Sequence, residues 1–357
     1  MNDRIIPTRP TTAIPLAPRI RRFTLTSIIG LAFFGVVAVL LAFMPYLVPL
    51  GQTAQLTTLF IYIVIASAWN LLAGYGGMVS IGQQAYIGLG AYSIVTLVGL
   101  AGLDPIQSIP LAAIVCALIA LPISYLVFRL VGGYFAIGTW VISEILRLVT
   151  MRIPAVGAGN GMSIQSAVTN ALPDRDLRIA ITYWAGLVLV VIITAAIVML
   201  VRSKLGLALT AVRDEPIAAG TSGVNVVTAR RIVFVVAAGM TGAAGAVLAV
   251  QTLNVIPTSV YSVNYAVFMI FMVVIGGLGS IEGPIIGAVI FWALEQFLKD
   301  YGSLYLIGLG LLAIVMVLFA PGGIWGLISG KRRINLFPIG YRLDRKGESA
   351  LRAGKVD

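Results

Sequence analysis

The chain has 357 residues, of which 59% are hydrophobic and only 10% are charged. Soluble domains carry about a quarter charged residues, so a soluble fold of this size could not hide so much apolar surface. The composition therefore excludes a soluble domain and indicates an integral membrane protein. The net charge of +11 does not indicate nucleic-acid binding, because Lys and Arg are spread over loops and tails on one side.

The apolar runs favour helices over a β-barrel. They continue for roughly 15–23 residues, the length of a helix that spans about 30 Å of hydrocarbon. Barrel strands instead alternate apolar and polar residues over about ten positions. The sequence predicts an all-α polytopic membrane protein with about ten transmembrane helices, or eight if the short eighth and ninth segments do not span. The segments are Ser27–Val48, Leu56–Leu72, Ala85–Leu103, Pro110–Phe128, Tyr134–Thr150, Ile179–Val201, Ile232–Val250, Val263–Leu278, Pro284–Leu298 and Ser303–Phe319.

Basic residues are unequally divided between alternate loops. Most lie in an N-terminal segment (residues 1–26), the loop 202–231 and a C-terminal tail (residues 326–357). Because cytoplasmic segments are enriched in Lys and Arg, we expect both termini inside and a transmembrane domain over residues 27–325. The outer loop 153–178 is long for a membrane connector. Only five basic residues fall on the predicted outer side: Arg147, Arg152, Arg175, Arg178 and Lys299.

The loop 202–231 contains the pattern of a short capped helix. Asp214 and Glu215 precede Pro216, and acids and proline are favoured at a helix start. Gly223 is placed to end the helix. The pattern fits either a helix that docks into a soluble partner or a solvated connector with ordinary caps. The candidate docking residues are Arg213, Asp214, Glu215, Ala218, Ala219 and Gly223.

A second group of polar residues lies at membrane depth. The glycine-rich stretch 74–90 contains Ser80, Gln83 and Gln84. Such a stretch is typical of a broken helix that binds a substrate headgroup, or of close helix packing. Glu144 lies three residues before Arg147 on one helix face, so it is either a pathway acid or half of a structural ion pair. The candidate pathway residues are Asn70, Ser80, Gln83, Gln84 and Glu144.

One short motif occurs twice. Residues Gly76–Ile81 and Gly276–Ile281 share the pattern Gly-Gly-x-x-Ser-Ile. Both follow a span that runs from outside to inside, so a true repeat would be parallel rather than inverted. Chance is the alternative, because the chain contains 39 glycines.

An ordered series of motifs runs from about residue 55 to 325. Its members are Asn70–Gly77, Ser80–Tyr86, Gly88–Tyr92, Tyr134–Ile137, Glu144–Arg147, Gly159–Gly161, Glu215–Ala219 with Gly223, Gly276–Ser280, Gly283-Pro284 and Phe319–Gly323. The series resembles the LivM-like family of branched-chain amino acid ABC permeases. The pair Gln83-Gln84 departs from the histidine-containing variant of many relatives, which leaves the substrate open within the family.

The resemblance implies an ATP-powered importer in a bacterial cytoplasmic (inner) membrane. Its partners would be two ABC ATPase subunits, a second homologous permease subunit and a periplasmic substrate-binding protein. The pattern Gly-x-x-x-x-Gly-Lys-[Ser/Thr] is absent from the sequence, so ATP and magnesium would bind to the ATPase subunits and this chain would hold no cofactor or metal. The family also implies that the Glu215–Gly223 helix receives the force of ATP hydrolysis.

Three alternatives differ in substrate or mechanism. Similar permeases carry urea or short amides. An ion-coupled secondary carrier would need an acid near the midplane, and only Glu144 and Glu295 are loosely placed for that role. A membrane-embedded enzyme lacks a catalytic set, because the chain has no histidine and the single cysteine Cys116.

Overall fold

The computed structural model describes residues 20–21, 25–298, 304–330, 336–337 and 342–343. Within them the chain is almost entirely helical, as the composition predicts. Most of the predicted cytoplasmic segments 1–26 and 326–357 lies outside the described residues. The helices are α1 (Leu25–Ala42), α2 (Met44–Leu47), α3 (Leu50–Asn70), α4 (Gln84–Ile94), α5 (Ser108–Val127), α6 (Gly133–Thr150), α7 (Gln165–Ala171), α8 (Arg175–Arg202), α9 (Lys204–Asp214), α10 (Pro216–Thr221), α11 (Val226–Thr252), α12 (Pro257–Val260), α13 (Asn264–Gly276), α14 (Glu282–Leu298), α15 (Leu304–Phe319) and α16 (Gly323–Ser329).

Two helices continue as π-helical turns, and four short strands form two pairs. The turn Leu71–Tyr75 extends α3, and Val95–Leu100 extends α4. The antiparallel pairs are β1 (Ile20–Arg21) with β4 (Arg342–Leu343) and β2 (Met162–Ser163) with β3 (Asn254–Val255).

Length and hydropathy identify the helices that can cross a bilayer. Among the described residues six helical segments qualify, and a seventh does if Gly133–Thr150 and Pro154–Asn160, bent by 90°, form one span. The multi-pass helical architecture is therefore confirmed, whereas the total of ten spans and the inside location of both termini stay predictions. The six segments are Leu50–Tyr75, Ser108–Val127, Arg175–Arg202, Val226–Thr252, Pro257–Gly276 and Ile307–Ser329.

Each of the ten predicted apolar segments coincides with a helix, but several helices begin earlier than the apolar run. The seventh predicted segment starts at Ile232, whereas α11 starts at Val226 because Asn225 Oδ1 accepts a hydrogen bond from Thr228 N at 3.0 Å. The sixth starts at Ile179, whereas α8 starts at Arg175 after a similar cap by Asp174. Capping side chains satisfy the free N–H groups of a first turn and so extend helices into polar sequence.

Helices α3, α4 and α11 form the centre of the bundle. A Cβ atom on Gly90 of α4 would collide with the carbonyl of Gly242 in α11, and one on Gly245 would collide with the carbonyl of Ile87. Small residues permit this close approach of backbones. The part of the stretch 74–90 that belongs to α4 therefore packs closely against α11. Helices α5, α8 and α15 surround this centre and expose large apolar side chains, including Leu118, Val191 and Ile192, and Leu311.

The predicted outer loop is folded. Residues Pro154–Val156 and Ala158–Asn160 form 3-10 turns, and β2 pairs with β3, which follows directly on α11. Ile164 N also donates to Leu253 O at 2.9 Å. The loop between α6 and α8 is thus fastened to the end of α11 through backbone hydrogen bonds.

Candidate functional site

The predicted docking helix is present as α10, and its two ends have the predicted chemistry. Glu215 is extended (φ −153°, ψ 94°) and separates α9 from α10, and Pro216 occupies the first helical position. Gly223 has φ +86°, and Val224 N donates back to Ala219 O at 3.1 Å. A left-handed residue with this backward hydrogen bond is a common helix C-terminus, and glycine adopts it without steric cost. The helix start and stop are therefore confirmed.

The outward face of α10 is apolar with acids at its edge. Ile217 is 78% exposed, whereas Ala219 is buried against the bundle. Asp214, Glu215 and Ala218 are exposed as well. Sequence reasoning did not select Ile217, although a large apolar residue inside a polar loop was a usable signal. Ile217 is therefore the exposed large apolar side chain of α10.

Arg213 was predicted to lie on the docking surface. In the structure its guanidinium also contacts the end of α3. Its Nη2 lies 3.0 Å from Asp214 Oδ1, and its Nη1 donates to Gly74 O at 2.9 Å. Gly74 belongs to the π-helical turn that ends α3. Arg213 thus joins the end of α9 to the end of α3.

Asn70 lies in a bridge between distant parts of the chain and is 2% exposed. Its Nδ2 donates to Ser280 O at 2.8 Å, and its Oδ1 accepts from Gly279 N at 2.8 Å. The neighbouring Trp69, which the sequence did not single out, donates from Nε1 to Ser80 O at 2.8 Å. Both ends of the Asn70 amide are therefore used in packing contacts between α3 and the second Gly-Gly motif.

The other candidate pathway residues on this side of the bundle are fully buried. Ser80, Gln83 and Gln84 are each no more than 1% exposed. Gln83 Nε2 donates to Thr241 Oγ1 on α11 at 3.1 Å. Within the described residues, the Oε1 atoms of Gln83 and Gln84 have no hydrogen-bond partner. Buried acceptors of this kind are costly to leave unpaired, and they match the donors of an ammonium group.

Glu144 lies apart from these residues and forms an ion pair on α6. Both of its carboxylate oxygens accept from Arg147 Nε at 3.0 Å, and Arg147 Nη2 also contacts Oε1. The glutamate side chain is 46% exposed. The alternative of a structural pair, which the spacing predicts, is therefore observed.

Sequence reasoning missed one buried carboxylate, that of Glu282. Glu282 opens α14 and is 2% exposed. Its Oε1 accepts from Leu336 N at 2.9 Å and from Phe337 N at 3.3 Å. Phe337 in turn stacks on Phe34 of α1 with ring centroids 4.7 Å apart. Glu282 thus fastens residues 336–337 to the bundle.

Comparison with known proteins identifies the family to which this chain belongs. A family model described as the permease component of branched-chain amino acid transport systems matches residues 52–320. The chain belongs to this permease family. The resemblance drawn from the motifs is thereby confirmed, and the family is one of transporters rather than enzymes.

Three curated relatives match most of this chain. The high-affinity branched-chain amino acid transport system permease protein LivM of Salmonella typhimurium is 27% identical over 78% of this chain and 71% of its own. The LivM protein of Escherichia coli is 26% identical over 82% of this chain and 74% of its own. A probable permease protein LivH of Methanocaldococcus jannaschii is 25% identical over 69% of this chain and 82% of its own. No solved structure matches.

Proposed function

We propose that this permease is the membrane subunit of an ATP-powered ABC importer for branched-chain aliphatic amino acids in a bacterial cytoplasmic membrane. Its partners would be two ATPase subunits, a second homologous permease subunit and a periplasmic binding protein. ATP and magnesium would bind on the ATPase subunits. Alternating access would result when closure of the ATPase subunits moves α10.

The observation that carries this proposal is the geometry of α10. It is a separately capped helix between two long spanning helices, α8 and α11, and it exposes Ile217 with acids at its start. A solvated connector would gain nothing from an apolar side chain that is 78% exposed. A docked partner would bury it, and buried apolar anchors supply much of the affinity of protein interfaces.

The docking step is tested by co-purification of the ATPase subunits with a tagged permease. We expect Ile217→Asp to abolish co-purification, because a carboxylate would be desolvated in the interface. Val227→Asp is the matched control, since Val227 is 47% exposed in the first turn of α11, outside α10. Equal recovery of ATPase subunits with both variants would contradict the proposal.

The coupling step is tested by ATP-driven uptake into vesicles that contain the complete transporter. The double variant Glu215→Ala/Gly223→Ala removes the acid at the helix start and forces alanine into a left-handed conformation. We expect strongly reduced uptake with normal membrane insertion. Uptake equal to wild type would count against the role of α10.

The substrate class is tested in the same vesicles by competition. We expect unlabelled leucine, isoleucine and valine to suppress uptake of labelled leucine, and urea or acetamide to leave it unchanged. Competition by urea instead would assign the transporter to short amides. Uptake by the permease alone, driven by an ion gradient without ATPase subunits, would reassign it to the secondary carriers.

The substrate pathway that we propose passes Ser80, Gln83 and Gln84. The two unpaired glutamine oxygens support it, because the α-ammonium of an amino acid supplies the donors that they lack. Replacing Gln84 by leucine is expected to raise the leucine concentration for half-maximal uptake at least fivefold. An unchanged value would remove Gln84 from the pathway.

A further inference from the structure

The two copies of the Gly-Gly-x-x-Ser-Ile motif meet at one end of α3. The first loop (Gly76–Ile81) follows the end of α3, and the second loop (Gly276–Ile281) follows the end of α13. Two adjacent residues of α3 each donate a side-chain hydrogen bond to the carbonyl of the motif serine, one in each loop. Trp69 Nε1 donates to Ser80 O and Asn70 Nδ2 donates to Ser280 O, both at 2.8 Å. One turn of α3 therefore clamps both loops, and α3 and α13 run toward the same end.

The clamp is closely packed as well as hydrogen-bonded. A Cβ atom on Gly74 would lie 2.6 Å from Gly279 N, which is closer than real atoms approach. Gly279 has φ +78°, a conformation that side chains rarely adopt. The turn that ends α3 and the second loop can therefore not slide past one another without breaking the Asn70 hydrogen bonds.

Arg213 attaches the coupling segment to this clamp. Besides its hydrogen bond to Gly74 O, its side chain lies against both loops. A Cβ atom on Gly77 would lie 3.2 Å from Arg213 Cγ, and one on Gly279 would lie 3.3 Å from Arg213 Nη1. Arg213 lies in the last turn of α9, and only Asp214 and the extended Glu215 separate it from α10.

We infer that Asn70, Gly74, Arg213 and the two motif loops form a junction that transmits movement of α10, as one unit, to the helices on either side of each loop, α3 with α4 and α13 with α14. This inference rests on the proposed function, because it assigns the route by which the docking helix acts. Arg213 and Asn70 are positioning residues here, and neither contacts the substrate or the ATPase in this assignment.

The first test measures amino acid transported per ATP hydrolysed in vesicles with the complete transporter. Arg213→Met removes the donors to Gly74 O, and Asn70→Leu removes both amide contacts with the second loop at similar volume. We expect both variants to retain their ATPase subunits and to lose at least tenfold in transport per ATP. A ratio within twofold of wild type for both variants would overturn the inference.

Gln251→Leu is the matched control for lost hydrogen bonds on α3. Gln251 Nε2 donates to Ala54 O at 2.9 Å and to Thr58 Oγ1 at 3.0 Å. These partners lie toward the other end of α3, about 18–24 Å from Asn70 at ~1.5 Å per residue. We expect this variant to lose stability but to keep the wild-type transport per ATP. A loss equal to that of Asn70→Leu would show that any weakening of α3 uncouples the transporter, and would also overturn the inference.

The second test measures distance and does not depend on activity. The buried Cys116 is the single cysteine, so spin labels on Val79→Cys and Leu278→Cys, which are 52% and 53% exposed, report the separation of the two loops. We expect this separation to stay constant between the nucleotide-free and ATP-bound wild-type complex. Adding Arg213→Met should leave it constant too, whereas adding Asn70→Leu should broaden it. Loops that separate by more than about one helical turn, roughly 5 Å, during the wild-type cycle would refute a single moving unit.

Failure of the inference and failure of the proposed function give different results. If the wild-type permease binds no ATPase subunits, or transports without ATP, the proposed function fails. If the wild type couples ATP to uptake and Ile217→Asp abolishes docking while Asn70→Leu and Arg213→Met remain coupled, only the junction fails.

Discussion

The close packing of α4 on α11 makes Gly245→Ala a sharp test of the fold. The added Cβ would lie 2.8 Å from both the carbonyl carbon and the Cα atom of Ile87 and would collide with the Ile87 oxygen. Ordinary contacts begin near 3.4 Å, so the two helices must separate locally by about 0.6 Å or more. No side-chain rotation relieves the contact, because all three atoms belong to the backbone. Overpacking of this kind costs about 1–3 kcal/mol.

The assay is a thermal scan of the purified permease in one detergent at one scan rate, since unfolding of such proteins is usually irreversible. We expect Gly245→Ala to lower the apparent midpoint by several degrees. Gly310→Ala in α15 is the control, because a Cβ atom there meets nothing within 4 Å, and it should stay within about a degree of wild type. Equal midpoints for the two variants would refute the packing that we derive for α4 and α11.

Three further predictions address single side chains. Glu144→Gln should leave uptake within about fivefold of wild type, because exposed ion pairs contribute roughly 0–1 kcal/mol; an abolished uptake would revive the ion-coupled carrier. Asn225→Ala should lower the stability of the first turn of α11 by about 0.5–2 kcal/mol and speed hydrogen exchange at the Thr228 amide. An unchanged exchange rate would exclude the cap. Glu282→Ala should leave the amides of Leu336 and Phe337 unpaired, at about 1–3 kcal/mol, and speed hydrogen exchange at these two amides; unchanged exchange would show that Glu282 does not hold residues 336–337.

The helices could be predicted from sequence because the bilayer imposes a simple rule. Every predicted apolar run is a helix, since a backbone in hydrocarbon must satisfy its own hydrogen bonds. The ends were less predictable. Asn225 and Asp174 extend α11 and α8 into polar sequence through single side-chain hydrogen bonds, and hydropathy does not register these bonds.

The helix α10 was also predictable, because its signals are local. Pro216 and Gly223 define its ends through backbone geometry that depends on neighbours within a few residues. Its exposed anchor Ile217 was missed, because exposure depends on which face of α10 the bundle covers. The strand pair of β2 and β3 was missed for a similar reason: two-residue strands form only where the fold brings them together.

The role of Asn70 shows what sequence reasoning lacks. A buried amide at membrane depth resembles a substrate ligand, and its actual partners, Gly279 and Ser280, lie more than 200 positions away. The repeated Gly-Gly motif left a parallel repeat and chance both open, and neither interpretation predicted that both segments contact the same turn of α3. The contact of both loops with the end of α3 is a feature of the tertiary structure, and it gives both ends of the Asn70 amide a packing partner.

The packing of the helices explains why movement of α10 would need a junction at the end of α3. The docking helix α10 packs on α9 and α11, and α11 packs chiefly on α3, α4, α5 and α8. Helices α13 and α14 pack mainly on one another and on α3, α15 and α16. A push on α10 therefore reaches the first group directly through α11, whereas α13 and α14 are reached through α3 and the hydrogen bonds of Arg213 and Asn70. If Asn70→Leu removes the hydrogen bonds of the junction, α13 and α14 should stay still while α11 moves. Labels on Leu278 and on the exposed Thr221 of α10 would then change their separation more in Asn70→Leu than in the wild type during the ATP cycle.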